Sequence, residues 1–189
     1  MAQSHIEFIT VTPFNRIKEG WKIADQNLLE LVNQFDPTTS YSNFVDPYDC
    51  QQAEPDLYQQ AFLHVVTETV FDYPHNAYGE KTFKPVSCLR PFVMLNVPGA
   101  LQELQDFGFK TFSNWWSEDY DSILDPTARL LAVLDIIKWV CEQDVVKLKN
   151  LMLDMQPILE HNHYHYYNKF VPQQIAKFDI ACRKNLKPR

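Results

Sequence analysis

The chain of 189 residues holds four glycines, Gly20, Gly79, Gly99 and Gly108. No Gly-rich phosphate loop, GxGxxG turn or serine nucleophile elbow occurs, so P-loop, dinucleotide-fingerprint and α/β-hydrolase chemistries lack their backbone signature. Each scarce glycine therefore marks a particular backbone need, a positive φ or a close approach. The four cysteines, Cys50, Cys88, Cys141 and Cys182, are far apart and form no CxxC pair. That favours buried free thiols over a disulfide framework. There is no basic surplus either. A net charge of −7 argues against a nonspecific grip on nucleic acid. No run of about 18 apolar residues exists to cross a bilayer. The first residues carry neither a basic region nor an apolar signal core, and a cytoplasmic location is the expectation.

What is present is apolar and aromatic: 46% hydrophobic residues and 14% aromatic ones, too many for a disordered chain. Residues 6–11 (Ile-Glu-Phe-Ile-Thr-Val) read as a short strand. Trp21, Ala24, Leu28, Leu31 and Phe35 follow at helical spacing, and residues 36–57 read as a long proline-bearing loop. Residues 61–66 form a continuous apolar run, a buried strand. Residues 81–88 read as a helix with Pro85 in its first turn, and 91–96 as a second buried strand. A helix from Pro98 to Gly108 and a third strand over 109–112 complete the pattern. Short apolar strands alternating with helices argue a parallel sheet.

Asp125 and Pro126 then give an N-cap and a first helical residue. The helix that follows is apolar over most of its circumference, which predicts burial on several sides. Val145, Leu148, Met152, Met155 and Leu159 mark another helix, which Pro157 is expected to kink or interrupt. The fold expected is α/β: a single Rossmann-like domain over 1–125 with a short, mostly parallel sheet, and C-terminal helices over 126–189 packed on it as one unit.

Ligands of open α/β sheets bind beyond the carboxyl ends of the strands. Thr67, Glu68 and Thr69 fall there after the first buried strand. Tyr78, Gly79, Glu80, Lys81 and Thr82 lead into a helix, and Asn96 to Gly99 join the second strand to its helix. A helix N-terminus with Lys81 beside it suits a phosphate or diphosphate. Glu68 or Glu80 would accept hydrogen bonds from sugar hydroxyls, and Gly79 and Gly99 would let a ligand come close. The competing reading makes Glu68 a cap or a surface carboxylate. Among His161, His163 and His165, two share a helix face, but no cysteine completes a metal set, so these rings read as a helix end packed on the core.

Several short motifs stand in order: His64-Val65-Val66-Thr67-Glu68-Thr69, Gly79-Glu80-Lys81-Thr82-Phe83-Lys84-Pro85, Arg90-Pro91-Phe92-Val93-Met94-Leu95, Pro98-Gly99-Ala100-Leu101, Gly108-Phe109-Lys110-Thr111-Phe112 and Ser117-Glu118-Asp119-Tyr120-Asp121. Together they resemble the C-terminal, donor-binding half of phage-type glycosyltransferase-like proteins of GT-B architecture, and more distantly the fucosyltransferases. The resemblance implies a nucleotide-diphosphate sugar bound by Glu68, Glu80, Lys81, Thr82 and Gly99, with no metal and no further cofactor. Lys84 and Arg90 are weaker candidates, able simply to cover the sheet edge, and the block from Glu118 to Asp121 reads as structural, with Tyr120 as its anchor. The host cytoplasm would be the setting. About 60 residues precede the match, too few for an acceptor domain, and no catalytic base is assignable. The alternative is a noncatalytic phage protein binding a host or virion partner through aromatics such as Trp115, Trp116, Tyr164, Tyr166 and Tyr167.

Overall fold

A computed structural model describes residues 55–68, 71, 76 and 78–185. The expected strand over 6–11, the helix over 21–35 and most of the loop over 36–57 lie outside these residues. The last residues of that loop belong instead to helix α1 (Pro55–Gln60). Then come β1 (His64–Thr67), α2 (Glu80–Ser87), β2 (Phe92–Leu95), α3 (Ala100–Asp106) and a 3-10 turn (Asp119–Ser122). Three further elements end the described chain: α4 (Pro126–Cys141), α5 (Val145–His165) and, after a π-helical turn (Tyr166–Phe170), α6 (Val171–Asn185). The described residues are a mixture of helix and strand, mostly helical, with helices toward the C-terminal end.

β1 and β2 pair in parallel, His64 opposite Phe92 and Thr67 opposite Leu95, joined through α2. Phe92, Val93 and Met94 are each 2% exposed or less, so β2 is covered on both faces, as its unbroken apolar run requires. Leu101 and Leu104 of α3 join this core, as do Val133, Ile136 and Val140 of α4 and Leu151, Met155 and Leu159 of α5. The three-four spacing of each set is what turns one stripe of each helix inward.

Residues 109–112 are not a strand, and among the described residues the sheet has two strands. Phe109 and Phe112 are buried as expected, but the backbone between them finds side chains rather than a neighbouring strand. The Lys110 N–H donates to Asn162 Oδ1 and its carbonyl accepts from Asn162 Nδ2, both at 2.8 Å. The Phe112 N–H donates to Glu118 Oε1 at 2.7 Å. Backbone groups satisfied this way need no ladder.

Two helical expectations also change. α4 buries one stripe, Arg129, Val133, Ile136 and Val140, while Leu131 remains 45% exposed. α5 runs through Pro157 without interruption. Pro157 and Leu153, whose carbonyl loses its helical partner, both face outward, where water substitutes for the missing bond. The start of α4 is as read: the Ala128 N–H donates to the Asp125 side chain at 2.7 Å. Pro85 lies in the interior of α2 rather than in its first turn.

The least anticipated core residue is Arg129, only 1% exposed. Its Nη1 donates to the carbonyls of Ile123 at 2.7 Å and Leu124 at 3.3 Å, and its Nη2 to that of Phe71 at 2.6 Å. The guanidinium lies 4.5 Å from the Phe71 ring centre. One side chain thus ties α4 to the segment before it and to the chain after β1.

Candidate functional site

The carboxyl edge of the sheet is where a ligand was expected. Glu68 follows β1 directly and is buried. Its Oε1 accepts from the N–H groups of Gly79 at 3.0 Å and Thr82 at 3.2 Å, and from Thr82 Oγ1 at 2.5 Å. The N-cap position of α2 is Gly79, which has no side chain to cap with, so the carboxylate supplies the missing acceptor from outside the helix. A Cβ on Gly79 would stand 3.1 Å from Glu68 Oε2. The close approach expected of this glycine is thus made by the chain's own carboxylate.

At the second strand the arrangement repeats. Gly99 adopts φ +81° at the head of α3, and its N–H donates to the Asp121 carbonyl at 2.7 Å. The Asp121 carboxylate accepts from the N–H groups of Leu101 at 2.9 Å and Gln102 at 3.1 Å. Both helix N-termini beside the strand ends therefore already hold an anion, and their partial positive charges are compensated internally. The Glu118–Asp121 block has the structural role expected. Tyr120 Oη accepts from the Met94 N–H at 3.3 Å. Burial pushes the Tyr120 hydroxyl and the Glu118 carboxyl above their ordinary ranges.

Of the expected ligand contacts, Glu68 and Thr82 are brought together by direct hydrogen bonding. Glu80 is exposed. Lys81 is half-buried and lines a cavity of about 20 Å³ with Tyr58, His64 and Thr67, room for one water molecule. Lys84 is buried, and Arg90 Nη2 donates to the Gln59 carbonyl at 3.0 Å, in keeping with a covering role at the sheet edge.

His64 forms one wall of that cavity. Its ring stacks on Tyr58 at 4.5 Å, and Nε2 donates to the Tyr58 carbonyl at 3.1 Å. Burial lowers the imidazole pKa from 6.5 to about 4; the Tyr58 hydrogen bond opposes this shift and the Arg90 charge adds to it. Because the folded pKa is depressed, the unfolded chain takes up a proton that the folded one refuses as pH falls through this window. Stability is then fully present above the unfolded value and drains away between about 6.5 and about 4, by on the order of 3 kcal/mol. Urea denaturation of wild type and His64→Gln across this range is the check. The difference between them should change with pH inside the window and level off outside it, and a pH-independent difference would refute the assignment.

His161 and His165 share a face of α5, their rings parallel at 5.9 Å. They reach the far end of α3, where His161 Nε2 meets the Gly108 carbonyl at 3.0 Å and His165 Nε2 the Phe107 carbonyl at 2.8 Å. This is the packed helix end read from the sequence. Gly108 has φ +97°, and a Cβ there would lie 2.7 Å from His165 Cε1, so both the backbone and the space demand glycine.

Two surface features are of another kind. The first is a groove of about 410 Å³ between α4 and the segment that ends in the 3-10 turn, lined by Trp115, Trp116 and Trp139 with Ser117, Asp119 and Asp135. Trp116, expected at the surface, is only 7% exposed, and it rests on Phe112. The sequence carried a signal for this groove: Asp135 and Trp139 stand four apart on one face of α4. The second is the outer face of α6, where Ile175 is 64% and Phe178 72% exposed. No family model, curated protein or solved structure matches this chain. Among the described residues no helix is long and apolar enough to cross a membrane.

Proposed function

We propose that this chain is a noncatalytic protein-interaction module that docks through α6. The observation that carries the reading is a helical stripe, Val171, Ile175, Phe178 and Cys182, spaced four, three and four residues apart, whose two central side chains stand largely in water. An amphipathic helix with its apolar face outward fits the groove of a partner protein. Tyr164, near the end of α5, and Tyr167, in the turn that leads into α6, are exposed as well. A host or virion protein is the class of partner expected.

The filled helix N-termini also favour binding over glycosyl transfer. A nucleotide-diphosphate sugar at the strand ends would have to displace Glu68 from α2 or Asp121 from α3, or lie against them at the cost of like-charge repulsion. The test places a photoreactive amino acid at position 178 of the full chain, with position 173 as the polar control, and irradiates cells that contain the natural partner. A discrete adduct should form from 178, not from 173, and be lost with Ile175→Lys. Equal adducts from both positions, or none, would end the proposal. Thermal stabilisation by a nucleotide-diphosphate sugar would instead return the glycosyltransferase-like reading to favour.

A further inference from the structure

The tryptophan groove carries a different inference, independent of α6. It runs between two walls, Trp115, Trp116 and Asp119 on one and Asp135 and Trp139 of α4 on the other. Its volume, about 410 Å³, lies within the range of small-molecule sites. Three of the chain's four tryptophans line it. Trp115 and Trp139 are only half-buried, so both keep ring surface for a ligand.

The charges at the groove have one sign. Asp119 and Asp135 stand on opposite walls, and among the described residues no Lys, Arg or His side chain lines it. Lys138 lies 3.5 Å from Asp135, but both side chains are about three-quarters exposed, so water and salt screen the pair. The Asp119 carboxylate accepts from Ser117 Oγ at 2.8 Å, a neutral donor that leaves its charge in place. The net charge of −7 adds a field of the same sign.

Charge and ring chemistry together select the ligand. An anion would be repelled by both carboxylates. A neutral saccharide exchanges water for its own hydroxyls at the carboxylates, a near-even exchange, and carries no charge for two like-signed groups to attract. A cation gains on both counts. The carboxylates attract it, and indole is the best of the aromatic rings for holding positive charge. A primary ammonium is strongly hydrated and brings three donors that need acceptors, which walls of rings and aliphatic side chains supply poorly. A quaternary ammonium has no N–H to satisfy and presents methyl groups to the rings. We infer that the groove formed by Trp115, Trp116, Trp139, Asp119 and Asp135 binds a small organic cation of the quaternary ammonium type, with no chemistry performed on it.

Intrinsic tryptophan fluorescence of the full chain, titrated at constant ionic strength, reads this site directly. The probes are choline, its neutral isostere 3,3-dimethylbutan-1-ol, in which carbon replaces the charged nitrogen, and maltotriose as a neutral saccharide. Choline should give a saturable change, and both neutral probes should bind at least tenfold more weakly. Trp139→Leu keeps apolar bulk but removes the ring, and Asp135→Lys reverses one charge. Each should weaken choline binding by about tenfold. Asp135→Lys alters only an exposed side chain and keeps the test valid should Trp139→Leu fold poorly, with circular dichroism as the check. No saturable change with choline, equal binding of either neutral probe, or a response unchanged in both variants would overturn the assignment.

Discussion

Arg129→Ala will be among the most damaging single changes in this protein, lowering stability by about 3–5 kcal/mol. The truncation strands the carbonyls of Ile123, Leu124 and Phe71, which now accept from the guanidinium at 2.6–3.3 Å. It also empties the volume of the largest fully buried side chain among the described residues. Arg129→Met refills much of that volume without restoring the hydrogen bonds and should recover part of the loss. Arg129→Lys should not recover it fully, because an ammonium cannot present the planar fork that spans three carbonyls. Urea denaturation at fixed pH, with unchanged slope, measures each difference. A loss under about 1 kcal/mol for Arg129→Ala would mean that the segment from Phe71 to Leu124 is held by something else.

Glu68→Ala should come next, and it separates two roles for one residue. As a cap on α2, Glu68 gives three hydrogen bonds from a charged, buried acceptor. Removing it leaves two backbone donors and a hydroxyl without a partner inside the protein, a loss of about 3 kcal/mol. For a chain of this size the melting temperature should fall by roughly 6–12 °C. Glu68→Gln keeps the shape and one acceptor and should fall by less. A residue serving only as a ligand contact would behave oppositely, with the melting temperature of the free protein unchanged. Differential scanning calorimetry without ligand distinguishes the two.

The same residue shows how far the sequence could be read. Strand, helix and strand over the region from His64 to Leu95 follow from apolar runs and their breaks, and the N-cap at Asp125 from its side chain and Pro126. Polar residues after a buried strand pointed to Glu68 and Thr82 as ligand contacts, and the structure pairs them with each other. Periodicity cannot say whether a carboxylate at a strand end faces a ligand or the chain's own amides. That depends on the path of residues 68–79, which has no repeat to read. The segment 109–112 misled for a related reason. The two aromatic rings around Lys110 and Thr111 report burial, and burial within a sheet or beside it leaves the same composition. The partner that settles its backbone, Asn162, lies 52 residues away. Arg129 was missed because it occupies the apolar stripe of α4, four residues before Val133, where a charged side chain reads as an exception. The tryptophan groove was half legible: Trp115 and Trp116 stood out, but Trp139 joins them only once α4 is docked.

Asn162 holding Lys110 by both its N–H and its carbonyl has a consequence for how the protein behaves in a crowded solution. Residues 109–112, Phe-Lys-Thr-Phe, set two polar side chains between two buried rings, and their backbone could pair as an edge strand if it were free. A free backbone there would offer a foreign chain a place to add itself strand to strand. The side-chain amide occupies that docking edge in every folded copy. With that edge occupied and the exposed Lys110 adding a charge beside it, the segment is closed to strand-by-strand addition by another chain.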